Sequence, residues 1–144
     1  MYADVLDRLT QCVRRDGKPD GGLEGKFDFQ GEEVSVAVDP DDEEWDVILW
    51  RAKEVLSKLE LYERKAKEKI LQDCFSSYND DWRQQDEPVL TEDQFLQRIK
   101  LVHIWFLGVD GVDFMYSDGG MFGGHSLISQ SFDGENFTYV QMYG

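Results

Sequence analysis

The residue types best suited to acid–base chemistry in this 144-residue chain gather in one segment, Tyr116 to Ser126. It reads Tyr-Ser-Asp-Gly-Gly-Met-Phe-Gly-Gly-His-Ser, with Asp118 and His125 flanking two glycine pairs. A carboxylate that orients a histidine is half of a general-base arrangement. His125 and Asp118 are therefore the catalytic candidates under an enzyme or small-ligand reading. Glycines there permit tight turns and close approach by a ligand. Ser126 follows His125 directly, and adjacent strand residues point to opposite faces, so Ser126 is poorly placed as that histidine's nucleophile. No G-x-S-x-G elbow is present. The competing reading makes His125 a tie between loop and sheet. Both readings put it at the loop–strand junction, bonded to loop backbone or to Asp118.

His103 is the other histidine. Alternation along Leu101 to Leu107 puts it on one face with Leu101, Trp105 and Leu107, as a buried histidine or as part of an aromatic patch. Two histidines with Asp110, Asp113 or Asp118 suit a metal by ligand type. Their spacing matches no metal motif, and no metal or cofactor is expected. The glycine segment lacks the Lys-Ser/Thr ending of a phosphate loop, and no helix is predicted to follow it. Aromatics from Trp105 to Tyr143 resemble a nucleic-acid stacking platform by type alone. From Leu101 to the end there is no Lys or Arg, so a phosphate backbone would be repelled.

Charge narrows the partner class. Thirty acids against 15 bases give a net charge of −15. Such a field repels nucleic acid and anionic lipid and favours a basic protein partner, or serves solubility alone. The preferred partner-binding surface combines Asp110, Asp113 and Asp118 with Trp105, Phe122 and Tyr139. A second acidic surface joins Asp41–Asp46 to Asp80–Glu87. Cys12 and Cys74 show no C-x-x-C or metal spacing, which suggests free thiols in a reducing, cytoplasmic setting. Met1 to Val13 lacks a signal-peptide apolar region. No apolar run approaches the roughly 20 residues of a membrane span.

The elements that must position these residues follow from periodicity. The length suggests one domain over 1–144. Residues 1–20 fit either a short helix around Val5, Leu6 and Leu9 or an edge strand over Leu9–Val13. Leu23–Phe29 and Val34–Val38 alternate as a hairpin. A long helix is expected over residues 41–75, with Asp39 as cap and Trp45, Ile48, Ala52, Leu56, Leu59, Tyr62, Ala66, Ile70 and Cys74 on its inner face. Thr91 and Gln94 form a capping box for a second helix, with Leu90 and Phe95 as its hydrophobic staple. Four strands follow, over 101–107, 112–117, 126–132 and 137–142. The expected class is α+β, with one long and one shorter helix packed on a mainly antiparallel sheet.

The order of segments resembles a bacterial family of unknown function, domain-of-unknown-function family 2262. The resemblance runs from about Gly22 to Ser129. It rests on the acidic hairpin, the Trp-bearing helix, Leu-Thr-Glu-Asp-Gln-Phe at Leu90–Phe95 and the Asp118–Ser126 segment. Gly123 stands where the family's loop usually carries a bulky residue, often Trp. The resemblance brings no established activity. Families of this kind resemble small acidic immunity proteins that accompany bacterial toxins, which implies a toxin domain as the basic partner.

Overall fold

Seven stretches of alternating sequence pair in chain order into one sheet, β1 to β7. The computed structural model describes residues 2–144. A 3-10 turn, Tyr2–Arg8, leads into β1 (Thr10–Val13), so residues 2–13 use both of the expected local structures in succession. β2 (Pro19–Phe29) and β3 (Glu32–Asp39) form the first hairpin. β4 (Lys100–Leu107), β5 (Gly111–Ser117), β6 (Ser126–Ser131) and β7 (Phe137–Tyr143) form an antiparallel meander. The fold is α+β, and the hairpin extends the meander as expected.

β3 and β4 are the parallel pair in this sheet, with Ala37 opposite Trp105. A parallel pair needs a crossover. The chain between them supplies it as α1 (Trp45–Ser57), α2 (Leu59–Ser77), a π-helical turn (Tyr78–Trp82) and α3 (Glu92–Arg98). The long helix expected over 41–75 is thus two helices, divided at Lys58. A straight helix of that length would run about 50 Å. The sheet is only about 29 Å across seven strands. The break lets α1 lie over β3 and β4 while α2 lies over β6 and β7. The start also moves. Asp39 closes β3 and its carboxylate accepts from the Asp41 N–H at 3.0 Å, while Glu44 is the N-cap. Trp45, in the first helical turn, is 36% exposed rather than part of the inner face.

The capping box at α3 forms as predicted, with Gln94 N–H donating to Thr91 Oγ1 at 3.2 Å and Thr91 N–H to Gln94 Oε1 at 2.9 Å. All helices lie on one face of the sheet. One hydrophobic cluster joins them to it, including Val36, Ile48, Leu56, Leu59, Ile70, Ile104, Phe106, Phe114 and Leu127. Burying each such side chain contributes roughly 1.5–3 kcal/mol. Among the described residues, the other face carries no helix.

One irregularity sets which side chains reach that open face. The β4–β5 register shifts between Leu101 and His103. A bulge of this kind turns the strand over. Leu101 is therefore buried with Ile104 and Phe106, while His103 and Trp105 face the other way. The strict alternation that grouped His103 with Leu101 does not hold.

Candidate functional site

The glycine loop between β5 and β6 consumes its own polar groups. The Asp118 carboxylate accepts from the N–H groups of Gly120, Phe122 and Gly124 at 2.8, 2.9 and 2.9 Å. A short acidic side chain followed by glycines can fold the backbone around itself in this way. Gly119 lies at φ +60°, and a Cβ there would run into the Arg98 carbonyl. Arg98 Nη2 in turn donates to the Gly119 carbonyl at 2.8 Å, fixing the loop to α3.

His125 sits at the loop–strand junction, with Nδ1 bonded to the Phe122 carbonyl. A carbonyl only accepts, so Nδ1 carries the proton. The ring packs edge-on to Trp82 at 5.9 Å, and Trp82 packs on Phe122 at 5.4 Å. Phe122 also meets Tyr78 and Phe95. Asp118 and His125 thus bind the same loop without a hydrogen bond to each other. Two members of the expected partner surface need correction here. Phe122 is fully buried and Asp118 is 5% exposed, because one anchors the aromatic cluster and the other holds the loop's N–H groups.

The remaining members converge on the open face. Residues directly opposite on paired strands, antiparallel or parallel, share a face. Thr10, Glu24, Ala37, Trp105, Asp113, Gln130 and Tyr139 are successive partners across all seven strands. Below them runs a second row, Lys26, Ser35, His103, Met115, Ile128 and Gln141. Trp105 and Asp113 are half-buried and Tyr139 is 53% exposed. Asp110 is exposed in the β4–β5 turn. Lys26, the one base within these rows, is paired with Glu33 at 3.5 Å.

Two depressions flank Trp105. One, of about 330 Å³, is lined by Cys12, Asp20, Glu24, Asp39, His103 and Trp105, among others. The other, of about 480 Å³, is lined by Trp105, Asp113, Met115, Ile128, Gln130 and Tyr143, among others. The rings of His103 and Trp105 are in contact, with centroids 3.9 Å apart. Nε2 of His103 is buried and has no hydrogen-bond partner. Burial lowers the His103 pKa, opposed by the Glu24 charge. Burial also raises the Cys12 thiol to about 11, helped by Glu24, Asp20 and Asp39. Asp113 is raised by burial and opposed by Gln130, whose Nε2 donates to both carboxylate oxygens at 3.3 and 3.2 Å. Among the described residues, no three His, Cys, Asp or Glu side chains are grouped to hold a metal ion.

The sequence model of a bacterial family, described as uncharacterized protein conserved in bacteria (DUF2262), matches residues 20–140. The chain belongs to the DUF2262 family. The match takes in β2 to β6, the helical crossover and the glycine loop. The DUF2262 match begins after β1, so Cys12 is a wall of the first depression that lies outside it. No curated protein and no solved structure matches the chain significantly. Among the described residues no helix is long and apolar enough to cross a membrane.

Sequence reasoning missed Asp20, Glu24 and Asp39 as neighbours of Trp105. The alternation of Phe27 and Phe29 with Lys26 and Asp28 already put Glu24 on the outward face of β2. Nothing local announced that β3 would pair with β4 across a 60-residue crossover, from Pro40 to Ile99.

Proposed function

We propose that this DUF2262 protein is a protein-binding module whose open sheet face takes a basic partner. Within bacteria, the role proposed is that of a cytoplasmic immunity protein that blocks a basic toxin domain. The observation that carries this reading is the cross-strand row through Trp105. It sets aromatic and acidic side chains side by side on a face no helix covers, in a chain of net charge −15. Buried aromatics hold complexes together, and complementary charge speeds encounter. The enzyme reading has less support, because Asp118 and His125 do not bond to each other: the carboxylate accepts from three loop N–H groups, and His125 Nδ1 donates to the Phe122 carbonyl.

The test is recovery of the partner from the native host, followed by association rates at two salt concentrations. A basic partner should associate more slowly at high salt. Neutralising Asp110 and Asp113 together should slow it by severalfold at low salt. An acidic partner, or an on-rate indifferent to salt, rejects the electrostatic reading. Turnover of a small molecule that is abolished by His125→Ala at unchanged melting temperature would favour the enzyme reading.

A further inference from the structure

We propose that the depression between Glu24 and Trp105 receives an arginine side chain of a polypeptide partner, with a neighbouring apolar side chain of that partner seated on the other side of Trp105. The inference rests on the binding-module reading and specifies its chemistry.

The depression of about 330 Å³ is within the size range of side-chain and small-ligand pockets. Asp20, Glu24 and Asp39 line it, and no Lys or Arg does. Asp20 and Asp39 each commit one carboxylate oxygen to a backbone N–H, of Gly22 and Asp41, and keep a second oxygen. The Trp105 indole forms part of the wall. A cation over an indole face is attracted by the ring's quadrupole, and guanidinium stacks there better than ammonium.

Fork geometry separates arginine from lysine. A guanidinium carries five N–H donors in a planar fork that can serve two carboxylates at once while its face lies on an aromatic ring, whereas an ammonium is a compact point charge. The Cys12 thiol is pushed up to about 11 by burial first, and then by the nearby charges of Glu24, Asp20 and Asp39.

The second depression argues for a polypeptide over a free guanidine. It shares Trp105 with the first, and Met115, Ile128 and Tyr143 line it beside an Asp113 whose carboxylate already accepts from Gln130. A free guanidine would occupy only the acidic side. Two nearby side chains of one backbone, one basic and one apolar, would fill both sides of the Trp105 ridge.

The experiment uses the full chain and three blocked probes: a short peptide containing Arg and Leu, the same peptide with citrulline for Arg, and arginine amide. The readout is the NMR shift of the Trp105 indole N–H, assigned by Trp105→Phe, and of the His103 ring. The arginine peptide should move both signals, and citrulline should weaken binding about tenfold or more. Glu24→Gln, at an exposed strand position, should weaken the arginine peptide similarly and leave the citrulline peptide unchanged. Equal binding of the two peptides, or shifts confined to the helical face, overturns the proposal. Arginine amide binding as tightly as the peptide overturns its polypeptide part. A salt-sensitive protein partner whose affinity ignores Glu24→Gln and Trp105→Phe removes this inference and leaves the binding module standing. Peptide binding without any salt-sensitive protein partner does the reverse.

Discussion

The glycine loop and the open sheet face are opposites. The loop has the more motif-like sequence, yet its carboxylate, one nitrogen of its imidazole and the Phe122 ring are engaged inside the fold. The open face has no motif, yet it keeps a buried imidazole nitrogen without a partner and a tryptophan between two depressions. Residues that hold a fold together satisfy their polar groups internally, because an unpaired buried group costs about 1–3 kcal/mol. Among the described residues, on the helix-covered face Ser129 Oγ is the buried side-chain atom left without a partner, and on the open face it is His103 Nε2.

Mutations can break this contrast. The largest expected effect is Phe122→Ala, which empties the centre of the Tyr78, Trp82 and Phe95 cluster. It should cost about 3–5 kcal/mol, read as a lower urea midpoint at unchanged slope. Asp118→Ala follows at about 3 kcal/mol, since three N–H groups lose a charged acceptor and the Phe122 bond is buried. Asp118→Asn should recover part of that loss. If either variant instead unfolds like wild type, the loop is not the structural clasp described above.

Trp105→Ala should act in the other region and on the other property. Its stability cost should stay below about 1.5 kcal/mol, because the side chain is only half-buried. Partner affinity should fall by about 2 kcal/mol or more, roughly 30-fold, mostly in the dissociation rate. A smaller step is His125→Ala, which removes the bond to Phe122 and the edge contact with Trp82. It should lower stability by about 1–2 kcal/mol and leave partner kinetics unchanged. Surface plasmon resonance beside urea melts separates these outcomes, and a loop variant that changes the dissociation rate more than Trp105→Ala would reverse the comparison.

The smallest effect is a pH dependence. Burial holds the His103 imidazole below its ordinary 6.5, against the field of Glu24. Between the folded and unfolded values the unfolded chain binds the extra proton, so stability falls as pH drops below about 6.5. His103→Gln should remove that component of the urea midpoint. Asp113 works in a lower window with the opposite sign. Burial raises its carboxyl above 3.8, so there the folded chain binds the extra proton and stability falls as pH rises. Asp113→Asn should leave the His103 window intact.

Local chemistry settled much of this protein. The capping box at Thr91, the β2–β3 alternation, the four-strand meander and the place of His125 at its junction all depend on neighbours a few residues apart, and the sequence displayed them. So did the family likeness, through the Leu90–Phe95 and Asp118–Ser126 segments. Three features were decided only by tertiary structure. The helix divides at Lys58 because it must stay over a sheet shorter than itself. The bulge after Leu101 reverses which residues share a face with His103, since one extra residue shifts a period-two pattern by half a cycle. The parallel pairing of β3 with β4 brings Glu24 and Asp39 beside Trp105. That pairing joins residues more than 60 positions apart, and short-range periodicity carries no information about which distant strand edges will meet.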